Sequence, residues 1–256
     1  MQNYKIVFSY DGTDFCGWQT QPNGVSIQTT LINTFKHAFK HEAVIIASSR
    51  TDSGVHANGA VALVRSTLDL PVSEVLKTWN RVLPKSILIK SLKRVSSTFY
   101  PLKNVKQKTY SYTLFLKHPN PFISRFGWYY RFIDNIDIKK FQAALNLYIG
   151  THDFGSFCKL DKTDKRSTIK KIDSINIKKN NKLNALVITI KGKSFLRFQI
   201  RRMIGYALDL SRQKDKPLSY LKNILDNPNP NQTLSKADAC GLCLERVVYN
   251  AKRNIK

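Results

Sequence analysis

The sequence contains few acidic residues, and this shortage is the most distinctive feature of its composition. Among 256 residues, 17 are aspartate or glutamate and 42 are lysine or arginine, which gives a formal net charge of +25. An excess of this size is typical of proteins that bind a polyanion, most often a nucleic acid. A basic protein without such a partner remains the alternative. The basic residues are spread along the chain instead of gathering on one amphipathic helix, which disfavours a membrane surface as the partner.

The chain also lacks a long apolar run. No stretch approaches the roughly 20 apolar residues of a membrane span. The N-terminal sequence MQNYKIVFSYDGT lacks the charged-then-apolar order of a signal peptide. We therefore expect a cytoplasmic protein with no membrane contact. The chain is long enough for one large domain or two ordinary ones, and 42% hydrophobic residues are enough to form a core.

Cysteine is scarce as well, and four cysteines do not make a disulfide scaffold in a chain of this length. Cys240 and Cys243 form a single CxxC pair, but no second CxxC or paired histidine supplies the other two ligands of a structural zinc site. A redox CxxC normally opens a helix, whereas this one runs into the apolar segment LERVVY. We expect buried strand cysteines and no metal.

Hydrophobic periodicity predicts alternating strands and helices in both halves of the chain. The first half is predicted to run strand, helix, strand, strand, helix, strand over residues 4–10, 26–41, 43–48, 58–66, 71–83 and 86–95. The second half is predicted to have strands at 105–116, 128–130, 169–178, 184–192 and 241–249 and helices at 137–149, 195–212 and 218–225. We expect an α+β fold of two lobes, 1–103 and 104–256, with mainly antiparallel sheets.

The segment SRTDSGVHA (49–57) stands out because an apolar strand enters it and another leaves it. Asp and Gly are common turn residues, so a tight turn is one interpretation. The other is a site, in which the Asp52 carboxylate lies next to the Arg50 guanidinium on a loop at a strand end. Spacing alone leaves both open. Basic–aromatic stretches such as RFGWYYRF (125–132) and KSFLRFQIRR (193–202) suit stacking on unpaired bases beside phosphate contacts.

The same segment resembles the signature of the TruA-type tRNA pseudouridine synthases, Gly-Arg-Thr-Asp-x-Gly-Val-His-Ala. Further blocks resemble the family in the family's order: FSYDGTDFCGWQTQPNGVSIQTTL (8–31), WNRVLP (79–84), KTYSY (108–112), GTHDFGSFC (150–158), SFLRFQIRRMIG (194–205) and ACGLCLERVVY (239–249). These blocks span nearly the whole chain, which makes the resemblance highly specific.

The resemblance implies conversion of uridine to pseudouridine in RNA, in the anticodon stem-loop of tRNA at positions 38–40. It implies that Asp52 is the nucleophile, that Tyr110 lies against the uracil as proton acceptor, and that Arg201 pairs with the catalytic carboxylate. It further implies a basic cleft between the lobes with Asp52 at its floor, no cofactor, and a homodimer with tRNA lying across both subunits.

These residue types suit the implied chemistry. An arginine within about 4–6 Å typically lowers an Asp pKa by 1–3 units, which keeps the nucleophile ionised. A tyrosine in a dry pocket is a weak, well-placed base. The target base must leave its stack, and the resemblance implicates Arg50 in displacing it. Arg197 and Arg202 are candidate RNA-binding residues beside Arg201.

Departures from the family pattern leave the RNA target open. They are Ser49, Ala60, Tyr100–Leu102, Lys170, Arg197–Gln199 and Arg202. Another structured RNA, such as a ribosomal RNA hairpin, remains an alternative substrate, and an inactive RNA-binding relative remains an alternative function. A zinc-dependent base deaminase would need His-x-Glu and Pro-Cys-x-x-Cys, which the lone CxxC lacks. We expect His152 and Asp153 to be structural, since adjacent residues on a helix point apart, and His56 to be a loop residue.

Overall fold

A computed structural model describes residues 1–160 and 166–250. Contacts divide the chain into unit 1, which is residues 1–108 together with the C-terminal stretch from 243, and unit 2, which is residues 109–242. The described residues form ten strands and five α-helices, which confirms an α+β fold. The lobe boundary at residue 103 stays a prediction. None of the described helices has the length and hydrophobicity needed to cross a bilayer.

Unit 1 is a sheet with two helices. Its strands are β1 (Gln2–Tyr10), β2 (Val44–Ala47), β3 (His56–Ser66), β4 (Ile87–Arg94) and most of β10 (Leu242–Tyr249), and its helices are α1 (Ile27–Phe39) and α2 (Val72–Val82). The strand order is β4-β1-β3-β10, and β2 also pairs with β3. Only the β3–β10 pairing is parallel among these described pairs. The predicted order strand, helix, strand, strand, helix, strand is confirmed.

Helix α1 forms where its sequence pattern predicts. The Ser26 hydroxyl accepts a hydrogen bond from Thr29 N at 3.1 Å, an N-cap that typically stabilises a helix by about 1 kcal/mol. On its inner face, Phe35 meets Trp79 of α2 edge-on, with ring centroids 4.9 Å apart. Both rings are fully buried. The two helices therefore pack on each other through a dry aromatic contact.

Unit 2 combines a second set of strands with three helices. Its strands are β5 (Val105–Phe115, in this unit from residue 109), β6 (Trp128–Tyr129), β7 (Gly150–Asp153), β8 (Ile169–Asn180) and β9 (Ala185–Gly192), and its helices are α3 (Ile138–Asn146), α4 (Gln199–Arg212) and α5 (Ser219–Asp226). The strand order is β5-β9-β8-β7, and β6 pairs with β5. Tyr148, buried after α3, donates its hydroxyl to Met203 O of α4 at 3.1 Å, so these helices are joined in the core.

Helix α4 is shorter than the predicted 195–212. It begins at Gln199 because Phe198 has a φ of 66°, in the left-handed region, and no helix continues through such a residue. For a residue with a side chain this conformation costs roughly 1–2 kcal/mol. The surrounding structure must therefore hold Phe198 in place.

Strand β7 was not predicted, and it carries His152 and Asp153. The expectation that these residues lie on a helix was wrong. Each bonds locally: His152 Nε2 lies 3.1 Å from Ile149 O, and the Asp153 carboxylate accepts a hydrogen bond from Gly155 N at 2.8 Å. Neighbouring side chains on a strand also point to opposite faces. Both observations support the structural interpretation.

Candidate active site

The Arg-Thr-Asp sequence lies on the loop between β2 and β3. Arg50 is exposed, Thr51 is buried and Asp52 is half-buried. The Thr51 hydroxyl lies 2.8 Å from the Tyr10 hydroxyl, and the Thr51 carbonyl accepts a hydrogen bond from Trp18 N at 3.1 Å. Thr51 therefore anchors the loop from the inside, while the residues on either side of it keep access to solvent.

A tight turn follows directly after Asp52. Val55 N donates to Asp52 O at 3.2 Å, and Gly54 has a φ of 75°, which glycine adopts without steric conflict. The turn and the site are therefore compatible interpretations of this segment. The turn fixes the backbone on the C-terminal side of the carboxylate.

The opening segment, residues 11–18, packs closely against this loop. A Cβ added at Gly12 would lie 2.0 Å from Val55 O, and one added at Gly17 would lie 2.8 Å from Thr51 O. Both distances are shorter than real Cβ contacts, so glycine is required at each point. The positions of the two glycines in the opening segment are therefore explained by its contact with the Arg-Thr-Asp loop.

Further hydrogen bonds join the two segments. Gly54 N and the Ser53 hydroxyl both donate to Phe15 O, at 3.3 and 3.2 Å. His56, buried at the start of β3, accepts a hydrogen bond from Gly12 N on its Nδ1 at 3.1 Å. We interpret His56 as a structural link between the segments.

Tyr110 lies on β5 in unit 2. Its side chain is 7% exposed, and its ring meets Phe195 edge-on with centroids 5.2 Å apart. Tyr112, two residues on, is fully buried and donates its hydroxyl to Asp238 O at 2.9 Å. Burial raises the pKa of Tyr112 well above its ordinary value. This bond gives Tyr112 a structural role, while the resemblance makes Tyr110, the first tyrosine of the strand, the candidate for proton transfer.

Arg201 lies in the first turn of α4 and is 8% exposed. Its Nε donates to Ala237 O at 2.9 Å, and Ala237 N donates to Arg201 O at 2.9 Å. A Cβ added at Gly205, one turn further along, would lie 2.7 Å from Ser235 O, so glycine allows this close approach. The paired bonds fix the guanidinium at its Nε. A buried arginine held in this way is suited to pairing with a carboxylate.

The two neighbouring arginines differ in their surroundings. Arg197 is exposed, and its guanidinium carbon lies 4.9 Å from the centroid of the Phe198 ring. Arg202 donates from Nη1 to the carbonyl oxygens of Ser156 and Cys158, at 3.3 and 2.6 Å. Part of the Arg202 guanidinium is therefore engaged within unit 2. The geometry favours Arg197 over Arg202 as an RNA contact.

A group of cationic side chains surrounds the Phe198 ring, and this group was not predicted from the sequence. The guanidinium carbon of Arg201 lies 5.7 Å from the ring centroid, and Lys236 Nζ lies 4.2 Å from it. With Arg197, three cationic side chains approach one ring. The basic residues around Phe198 were visible in the sequence, but the approach of Lys236 depends on tertiary structure.

Comparison with known proteins identifies the family. The sequence model of the family described as tRNA pseudouridine synthase matches residues 6–101 and 144–250. The chain belongs to the tRNA pseudouridine synthase family. The tRNA pseudouridine synthase A of Clostridium kluyveri is 35% identical over 97% of this chain and 100% of its own length. That of Oenococcus oeni is 34% identical over 98% of this chain and 99% of its own. A solved structure of Thermus thermophilus Cse3 bound to RNA matches 82% of this chain and 97% of its own at 10% identity, with a TM-score of 0.19.

Membership of the tRNA pseudouridine synthase family makes the chain an isomerase, which sets the base deaminase aside. The matched ranges contain five of the six candidate residues: Arg50, Asp52, Arg197, Arg201 and Arg202. Tyr110 lies between the two matched ranges. Its candidacy depends on its place as the first tyrosine of the Tyr-x-Tyr strand.

The CxxC cysteines are unsuited to thiolate chemistry. Burial raises the pKa of Cys240 to about 12 and that of Cys243 to about 12. The thiolate is the form that binds metals or attacks substrates. Cys243 lies on β10 and Cys240 on the 3₁₀ turn before it, and both are half-buried, so the predicted burial on a strand is only partly right. Within the described part of the chain, no three His, Cys, Asp or Glu side chains are grouped to bind a metal ion.

The role of Lys108, the basic residue that opens the Lys-x-Tyr-x-Tyr strand, was not predicted from the sequence. Its Nζ donates to Ser48 O at 2.7 Å, just before the Arg-Thr-Asp loop begins. Burial lowers the pKa of Lys108 to about 8. Within unit 1, this side chain therefore ties the start of β5 to the segment that leads into the Arg-Thr-Asp loop.

We expect Lys108 to make the free energy of unfolding depend on pH above about 8. Between pH 8 and 10.5 the unfolded chain keeps Lys108 protonated while the folded chain has released the proton, so stability rises with pH. Relative to Lys108→Met, the wild type should gain on the order of 3 kcal/mol across this window, measured by urea unfolding at several pH values. The exposed Lys106 of the same strand provides the control, Lys106→Met. A wild-type advantage over Lys108→Met that stays constant with pH would contradict the expectation.

Proposed function

We propose that this protein converts uridine to pseudouridine in tRNA, with Asp52 as the nucleophile and the anticodon stem-loop at positions 38–40 as the target. The observation that carries the proposal is the Arg-Thr-Asp loop, which is anchored by Thr51 and by the opening segment while Asp52 stays half-buried. It occurs in a chain whose full-length relatives are named tRNA pseudouridine synthase A. Binding of the tRNA by a homodimer is part of the proposal.

The reaction needs one nucleophile and one proton transfer. The Asp52 carboxylate attacks the nucleoside, and the bond between the ribose and the ring nitrogen of uracil breaks. The uracil turns and rejoins the ribose through carbon, which displaces Asp52. That carbon loses its proton and the freed ring nitrogen takes one up, so atoms and charges balance without a cofactor.

Residues of unit 2 assist these steps in the proposal. Tyr110 accepts the proton from the ring carbon, in a nearly dry environment that its low exposure supports. Arg201, fixed at its Nε by Ala237 O, stabilises the Asp52 carboxylate before attack and after release. Arg50, exposed on the same loop as Asp52, helps displace the target base from its stack.

An in vitro assay tests the proposal. Purified protein should release tritium from an unmodified tRNA transcript that contains 5-tritiated uridine, because the ring carbon loses its hydrogen during the reaction. Release should stop when the uridines at positions 38–40 are replaced by cytidine. A transcript of a ribosomal RNA hairpin is the control for substrate class. Release from the hairpin alone would move the substrate to ribosomal RNA, and release from neither would contradict the activity.

A further inference from the structure

We propose that Phe198 holds Arg197 and Lys236 as a binding site for an RNA backbone phosphate. This inference rests on the proposed function, because it takes tRNA as the ligand. It adds a positioning residue, Phe198, and a second cation, Lys236, to the RNA-contact candidate Arg197. We call these three residues the Phe198 site.

The Phe198 site consists of two exposed cationic side chains against one aromatic ring. The Arg197 guanidinium carbon and Lys236 Nζ lie 4.9 and 4.2 Å from the ring centroid. Both side chains are exposed, and the ring is half-buried. Long basic side chains lose much rotamer freedom when they bind RNA. Packing on a ring beforehand removes part of that loss, which strengthens binding.

The backbone conformation of Phe198 also supports a functional role for this residue. Its φ of 66° is a conformation that aromatic residues rarely adopt, since the Cβ crowds the backbone there. Asparagine would be easier to place at this position. Strained residues of this kind persist mainly at functional sites. The strain is explained if this conformation is needed to present the ring to the cations.

A third cation, Arg201, also approaches the ring, at 5.7 Å. One cation is enough for a favourable contact with a ring. Of the three cations, Arg197 and Lys236 are exposed, so a phosphate can reach both of them from solvent. Two exposed cations on one ring therefore offer a phosphate more than one charge to contact.

The Phe198 site also lies beside proposed catalytic residues of unit 2. Phe195, three residues earlier, contacts the ring of Tyr110, and Arg201 follows three residues later. A phosphate held here would belong to the RNA strand near the reacting uridine. Binding energy from this contact would help to orient the target nucleotide.

The test compares tRNA affinity over a range of salt concentrations. Arg197→Gln and Lys236→Gln should each weaken binding of an unmodified tRNA transcript three- to tenfold. Each should also reduce the log–log salt slope by about 0.7–0.9, the value for one phosphate contact. Phe198→Asn should weaken binding and lower the slope as well, although it removes no charge. Its thermal stability should be no lower than that of the wild type, because asparagine relieves the backbone strain. Lys178→Gln, an exposed lysine on β8, is the charge-matched control.

Coupling separates a built site from a general positive field. In the double variant Phe198→Asn/Lys236→Gln, the two losses should be less than additive, because the ring acts through the cation. Equal effects of Lys178→Gln and Lys236→Gln would overturn the inference, as would wild-type affinity and slope in Phe198→Asn. If Phe198→Asn fails to fold, the inference is tested by comparing Arg197→Gln and Lys236→Gln with the control Lys178→Gln. The outcomes that overturn the inference leave the proposed function intact, because the wild type still forms pseudouridine in the same tRNA. A wild type that neither binds nor modifies tRNA would instead refute the proposed function.

Discussion

Replacement of Asp52 by alanine should abolish pseudouridine formation while leaving the fold and tRNA binding largely intact. The loop is held by the Thr51 hydroxyl and carbonyl and by the backbone carbonyl of residue 52. None of these bonds uses the Asp52 carboxylate, so the loop keeps its anchors in the variant. Loss of a nucleophile should lower turnover on the order of 10⁴-fold or more. Asp52→Glu should also fail, since about one extra methylene moves the attacking oxygen out of reach of the nucleoside.

Tritium release measures turnover, and circular dichroism and tRNA binding check the fold and the affinity. Ser53→Ala is the matched control, because it changes the next residue of the same loop and removes one hydrogen bond to Phe15 O. It should keep most of the activity. Measurable turnover by purified Asp52→Ala would remove Asp52 as the nucleophile.

Local features of the fold were predictable because they depend on residues close in sequence. The N-cap at Ser26 and the buried stripe of α1 follow from spacing within one helix. The strands on either side of the Arg-Thr-Asp loop follow from short apolar runs. The four-residue strand β7, GTHD, contains too little strand preference to be recognised.

Contacts between distant segments were not predictable from a single sequence. The sequence shows glycine at positions 12 and 17, but it does not show that Val55 O and Thr51 O approach these positions. The helix predicted over 195–212 includes Phe198, and nothing in the local sequence indicates the positive φ of this residue, since aromatic residues rarely adopt it.

The same limit applies to the candidate site. Motif resemblance supplied the residue types, but two pieces of tertiary information were missing. The bond from Lys108 Nζ to Ser48 O joins residues from separate strands and loops. The bond of the Tyr112 hydroxyl to Asp238 O, 126 residues away, gives the second tyrosine of the motif a structural role that the sequence does not show.

Tyr110→Phe should lose most of the turnover while binding tRNA nearly normally. The substitution removes only the hydroxyl, and the ring can keep its edge-on contact with Phe195. If the hydroxyl accepts the proton from the ring carbon, its loss should slow the single-turnover rate about 10²–10⁴-fold at saturating tRNA.

The other tyrosine of the motif supplies the control for this experiment. Tyr112→Phe removes a part-buried hydrogen bond to Asp238 O and should lower the free energy of unfolding by about 1 kcal/mol, with a much smaller effect on the single-turnover rate. The two variants should therefore separate chemistry from stability: one slow and stable, the other active and less stable. An unchanged single-turnover rate in Tyr110→Phe would reduce Tyr110 to a packing residue, and the proton would then have to leave the ring carbon through another group.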